Sequence, residues 1–121
     1  MKLEFTYLPT RDLNASLELY RDVLGFDELW REGEQTVGLA VPGSDVALML
    51  DAGGQPDWGP GPMFTVEHVP TFIAEHDGQI DVAVEPFEIP GGALFALRDP
   101  GGNLIYVMDQ STGDEPPPDS A

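Results

Sequence analysis

Apolar positions along this chain alternate in some stretches and recur at helical spacing in others, and the two patterns take turns. The opening run "LEFTYLP" is aromatic and β-branched and reads as a strand. Asp12 then offers a helix cap, and Leu13, Leu17, Tyr20 and Leu24 follow at steps of four, three and four, which predicts a helix with one apolar face. Gly25 supplies its left-handed stop. Beyond it, "FDELWRE", "QTVGLAV" and "DVALMLD" read as three strands separated by glycine-containing turns.

The same order then returns. "MFTVEHV" reads as a strand, "PTFIAEHDG" as a short helix ended by Gly78, and "DVAVEPFEI", "ALFALRD" and "NLIYVMD" as three more strands. Local echoes point to duplication: Phe5 and Thr6 return as Phe64 and Thr65, and "VALMLD" ending at Asp51 returns as "LIYVMD" ending at Asp109. Between the halves, "DAGGQPDWGPGPM" is rich in Gly and Pro and reads as a linker. The last stretch, "QSTGDEPPPDSA", has too little apolar surface to offset its ordering entropy. The expected organisation is one domain over residues 1–110, made of modules 1–52 and 62–110 joined by linker 53–61, then a disordered tail over 111–121. The fold class expected is α+β: two paired βαβββ modules whose curled mixed sheets surround a cleft, with the helices outside. A cleft of that kind is a natural place for a small molecule.

Composition narrows the chemistry. The chain has 121 residues and no cysteine, so disulfides, thiolate metal sites and cysteine nucleophiles are excluded. Its 22 Asp and Glu against five Lys and Arg give a formal charge of −17 and no basic cluster, which argues against nucleic acid and anionic membranes as partners. That acidity is read as serving solubility in a salty cytoplasm, with attraction of cationic ligands as the alternative. No apolar run reaches the roughly 20 residues of a membrane span, and "MKLEFTYLPTRD" lacks the pattern of a secretory signal, so a cytoplasmic location is expected.

"LNASLELYRDVLGFDE" resembles the first helix and following turn of the vicinal oxygen chelate superfamily, the group containing glyoxalases, extradiol dioxygenases and bleomycin-resistance proteins. "RDPGGNLIYVMD" resembles the turn and final strand of the same superfamily. In metal-using members, as the resemblance implies, four ligands stand on cavity-facing positions of the first and last strand of each half. Carried onto this chain, those positions are Phe5, Leu48 (Met49 if the register slips by one), Gly61 and Tyr106. None of these ordinarily holds a hard divalent ion, which wants carboxylate oxygen or imidazole nitrogen. No metal and no cofactor are therefore expected. His68 and His76 are read as surface or structural residues, with a ligand or proton-transfer role as the alternative.

If that geometry holds, alternation puts Phe5 and Tyr7 on one face of the first strand and Leu104, Tyr106 and Met108 on one face of the last. The residues expected to line the cleft are Phe5, Tyr7, Trp30, Leu48, Met49, Trp58, Phe64, Phe95 and Tyr106. Aromatic walls suit a flat or cationic guest. The leading expectation is a metal-independent small-molecule binding protein, a homodimer by analogy with the superfamily. The alternatives are an enzyme, either glyoxalase- or dioxygenase-like with an atypical metal site or metal-free with Tyr106 or Tyr7 as proton donor, and an interaction subunit without a small-molecule role.

Overall fold

In the computed structural model, residues 1–111 are described, and they fall into two compact units: Glu4–Pro62, and Met1–Leu3 together with the chain from Met63 onward. The expected disordered tail lies, beyond Ser111, outside the described residues. Both units follow the order strand, helix, strand, strand, strand, and the class is α+β.

The first unit contains β1 (Lys2–Pro9) from Glu4 onward, α1 (Leu13–Leu17) with a π-helical segment (Glu18–Val23), β2 (Asp27–Glu32), β3 (Thr36–Ala40) and β4 (Ala47–Asp51). Its strands lie in the order β2-β3-β4-β1. β1 runs parallel to β4, with Tyr7 beside Met49, and the other pairs are antiparallel, with Gly38 beside both Met49 and Trp30. Partners in register share a face, so the sheet has two distinct sides. One side packs on the helix: Leu13 and Leu17 meet Val37, Leu39 and Leu50, with Leu8, Tyr20, Phe26 and Leu48 around them. Each fully buried leucine there contributes roughly 2 kcal/mol.

Asp12 caps α1 as expected, its Oδ1 accepting from the Ala15 amide at 3.1 Å. The helix then departs from the predicted stripe. Leu24 N donates to Leu19 O at 2.9 Å, an i→i+5 bond, so the last turns are wider than an α-helix. The extra residue per turn rotates Leu24 out of the apolar stripe to 50% exposure, and Phe26 packs on the core in its place. Gly25 follows at φ +81°, the left-handed stop that the sequence predicts.

The second unit contains β5 (Gly61–Thr65), α2 (Val69–Glu75), β6 (Asp81–Ile89), β7 (Gly92–Arg98) and β8 (Leu104–Met108). Its strand order, β5-β8-β7-β6, is the order of the first unit over again. β5 runs parallel to β8, with Met63 beside Tyr106 and Phe64 beside Val107. Under α2, Val69, Phe95 and Val107 form a buried core joined by Phe72, Ile73, Val82, Leu97 and Ile105. The β7–β8 turn is closed by Asp99, whose Oδ1 accepts from the Asn103 amide at 2.8 Å, and Gly102 takes φ +90°. That amide, with the Asn103 side chain and the Gly101 and Gly102 amides, holds the Asp99 carboxyl below the usual carboxylate range.

Candidate functional site

The side of the first sheet away from α1 gathers the chemistry. Alternation along β1 places Phe5 and Tyr7 there, and register adds Met49 and Asp51 from β4, Thr36 and Gly38 from β3, and Trp30 from β2. Phe5 and Trp30 meet edge to face, with ring centroids 5.8 Å apart and planes at 89°. Gly38 is the floor on which the indole rests: a Cβ at this position would overlap the Trp30 ring. The result is a partly buried aromatic pair seated on backbone.

Next to it is a polar cluster. The Tyr7 hydroxyl donates to Asp51 Oδ2 at 2.5 Å, Thr36 Oγ1 donates to Asp51 Oδ1 at 3.1 Å, and the Gly53 amide donates to the same oxygen at 2.9 Å. A phenol this close to a carboxylate makes a charge-assisted hydrogen bond. The loop after β4 closes on this cluster because Gly54 has no side chain: a Cβ there would stand 2.5 Å from Tyr7 Oη and 3.3 Å from both Asp51 Oδ2 and Trp58 Cε3. Trp58, expected on a linker, packs against Gly54 of this loop.

Several expected lining residues stand elsewhere. Leu48 lies on the helix-packed side, in register with Thr6 and Leu39, so Met49 holds the open-face position. Phe95 is wholly buried under α2, 6.0 Å from Phe72, and Phe64 shares the side of its register partner Val107, which belongs to that same core. For Leu48 the cause is register: a strand's faces alternate, so a one-residue error exchanges core for open face. In the second unit the side away from α2 carries Met63, Leu94, Ala96, Leu104, Tyr106 and Met108, all of them buried. Gly61 is in phase with Met63 on β5.

The positions that the resemblance equates with metal ligands, with Met49 in place of Leu48, are Phe5, Met49, Gly61 and Tyr106, without a carboxylate or imidazole among them. Among the described residues no three His, Asp or Glu side chains converge. A divalent ion of the kind used by metal-dependent relatives does not fit this donor set. His68 bonds to Thr71 Oγ1 and His76 to the Phe72 carbonyl, both within α2 and its flanks.

Two groups had no assigned role in the sequence, Asp51 and Asp109. Asp109 is completely buried and accepts from the Val69 amide at 2.6 Å, the Ala93 amide at 3.0 Å and Ser111 through its amide at 3.2 Å and hydroxyl at 3.0 Å. Burial alone would push its carboxyl up, but the Val69, Ser111 and Ala93 donors outweigh that and hold it below the usual range. The repeated endings "VALMLD" and "LIYVMD" were the one available signal for both residues.

Comparison with known proteins agrees with this architecture. A family model for the glyoxalase/bleomycin resistance protein/dioxygenase superfamily matches residues 2–107. No curated protein sequence matches. Among solved structures, an NAD-dependent benzaldehyde dehydrogenase from Legionella pneumophila superposes with TM-score 0.73 at 17% identity, covering 87% of this chain and 96% of that one. Methylmalonyl-CoA epimerase from Mycobacterium tuberculosis gives 0.64 at 22% identity, covering 89% and 87%. A superfamily member from Vibrio splendidus gives 0.60 at 22% identity, covering 87% and 95%. At these identities the structures establish the fold, and with a family model covering nearly all of the described residues, the chain belongs to the glyoxalase/bleomycin resistance protein/dioxygenase superfamily.

Proposed function

We propose that this chain is a metal-independent binding protein that holds a flat organic ligand, aromatic or cationic, against the open face of the first sheet. The observation that carries the reading is the Phe5–Trp30 pair seated on Gly38 beside the Tyr7–Asp51 cluster. An indole face attracts flat rings and cations, and a carboxylate one strand away adds to the pull on a positive group. The absence of suitable metal donors at Phe5, Met49, Gly61 and Tyr106 supports binding without metal chemistry. In this reading the protein acts in the cytoplasm as a homodimer, and its acidity favours cationic over anionic guests.

The chain has two tryptophans, Trp30 and Trp58, so Trp58→Phe leaves Trp30 as the sole indole reporter. Titrating that variant with a panel of planar aromatic cations, neutral aromatics and anions should quench or shift its emission with cations first and anions last. Trp30→Ala in the native background should remove binding while leaving the fold intact. No response across the panel, or equal binding by Trp30→Ala, would sink the reading.

One observation favours a second reading, an enzyme. The Tyr7 hydroxyl and Asp51 carboxylate form a proton donor and acceptor pair within a single hydrogen bond. Turnover of any panel compound that is lost in Tyr7→Phe, with binding retained, would replace the binding role by a catalytic one.

A further inference from the structure

A row of polar side chains crosses the first sheet one register step from the aromatic pair. Glu32 on β2 stands beside Thr36 on β3, and Thr36 stands beside Asp51 on β4, so all of them share the side away from α1. Two residues along each strand is the row of Trp30, Gly38 and Met49, about 7 Å away. Neighbouring side chains of a row are about 5 Å apart, within reach of one small group. A ring seated on Trp30 therefore places a substituent on a short arm over Thr36.

The direction of the hydrogen bonds decides what that substituent has to be. A hydroxyl has a single proton to give and lone pairs to offer. The Thr36 proton goes to Asp51 Oδ1 and the Tyr7 proton to Asp51 Oδ2, while the Gly53 amide is spent on Oδ1 as well. Thr36 Oγ1 thus meets a ligand with lone pairs, and Glu32, exposed at the end of the row, adds a carboxylate. Asp51 is the positioning residue, because it turns the Thr36 proton away from the ligand. A group docking over this row has to bring its own protons; one that brings only acceptors leaves its lone pairs facing those of Thr36 and Glu32.

Charge selects further. On this side of the unit's strands the charged residues are Asp27, Glu32 and Asp51, and no Lys or Arg stands among them. Glu34, in the turn between β2 and β3, adds the same sign. Arg31 is out of phase with Glu32 and pairs with Glu28 at 2.8 Å on the other side. A quaternary ammonium answers this field alone, whereas a cation with N–H groups answers both the field and the acceptors.

We propose that the Glu32–Thr36–Asp51 row selects, among flat ligands held on Trp30, those that carry a primary or secondary ammonium or an amidinium on a short arm. The inference rests on the binding reading above and adds the chemical class of the ligand, with Thr36 and Glu32 as the residues that choose it. The N–H groups of the cation donate to Thr36 Oγ1 and the Glu32 carboxylate, while the ring lies against the indole.

Calorimetric titration of the full-length chain with phenethylammonium, its trimethylammonium derivative and phenethyl alcohol tests this. The primary ammonium should bind about tenfold more tightly than either of the others, because it alone has both the charge and the N–H donors. In Glu32→Gln and in Thr36→Val its margin over the trimethylammonium derivative should shrink to about twofold. Glu28→Gln removes the same charge from the other side of β2 and should keep the full margin. Glu32 is exposed and valine matches threonine in shape, so circular dichroism should show an unchanged fold. If the trimethylammonium derivative or the alcohol binds the native chain as tightly as the primary ammonium, selection by N–H donors is overturned and the binding reading stands. A margin untouched by both Glu32→Gln and Thr36→Val also overturns the inference. Binding of none of the probes overturns this inference and the binding reading together.

Discussion

Asp51 and Asp109 close the same sequence echo at the ends of the two units, yet they point to opposite sides of their sheets. Asp51 is in phase with Met49 and faces the open side, where its donors are a phenol, a hydroxyl and one loop amide. Asp109 is in phase with Val107, on the side of α2, where two of its donors are the Val69 and Ala93 amides. The helices show the other half of this difference. The N-terminus of α1 is capped by its own neighbour, Asp12, whereas His68, at the cap of α2, makes no side-chain bond to the helix backbone, and the first amide of α2 goes to Asp109 across the unit. One aspartate thus staples a helix start to its sheet, while the other joins the Tyr7 phenol, the Thr36 hydroxyl and the Gly53 amide on the side away from α1.

Removing each carboxylate should break that symmetry. Asp109→Ala strands the buried Val69 amide and takes an acceptor from the half-buried Ala93 amide, and should cost about 3 kcal/mol. Asp51→Ala takes an acceptor from the buried Tyr7 phenol and the half-buried Thr36 hydroxyl but leaves no helix start uncapped, so a smaller loss of about 1 to 2 kcal/mol is expected. Urea denaturation at neutral pH measures both. Equal losses would show that the two aspartates do the same structural work, and the comparison would fail.

The same contrast explains what could be read from the chain. Every strand and both helices were legible, because alternation and helical spacing are local. The two units repeat one element order, but the echo equates Leu48 with Tyr106, and those residues lie on opposite faces: Leu48 packs with α1, whereas Tyr106 is in register with Met63 and Ala96 on the side away from α2. Sequence similarity between the strands does not carry their phase, and one residue of phase exchanges the faces. Phe64 and Phe95 were misplaced for a related reason, since an aromatic ring fills a core as well as it lines a groove. Asp109 was invisible as a staple because its partners are mainly backbone amides, which any sequence possesses. The exposure of Leu24 depends on a π-helical turn that leaves no mark in the apolar spacing.

Gly38→Ala probes the open side directly. The new Cβ overlaps the Trp30 indole, and because that ring is only partly buried it can swing outward rather than distort the sheet. Stability should fall by about 1 to 2 kcal/mol. In the Trp58→Phe background the remaining emission should shift to the red, and affinity for any ligand found in the panel should drop with it. Unchanged emission and affinity would mean that the seat on Gly38 has no part in binding.

Acid should separate the units in proportion to the staple. The folded Asp109 carboxyl lies below its ordinary value of about 3.9, so its stabilising contribution is fully present above that pH and is lost as pH falls through the folded value. The gap in urea midpoint between the native chain and Asp109→Asn should therefore be widest near neutrality and narrow as pH drops into the acid range. A gap independent of pH would assign the loss to packing or geometry rather than to the charge that Val69, Ser111 and Ala93 stabilise.

The smallest expected effect concerns the cap that is local. Asp12→Ala removes the acceptor for the Ala15 amide, but that amide sits in an exposed first turn where water replaces the carboxylate. A loss of about 1 kcal/mol is expected, well below that of Asp109→Ala, although both side chains serve helix N-termini. Asp12→Ser, which keeps an acceptor at the cap, should recover most of the loss. Because α1 is bound to its sheet through Leu13 and Leu17, the unfolding transition should stay cooperative with an unchanged denaturant slope. If Asp12→Ala proved as damaging as Asp109→Ala, burial of the amides would not be what distinguishes the two helix starts.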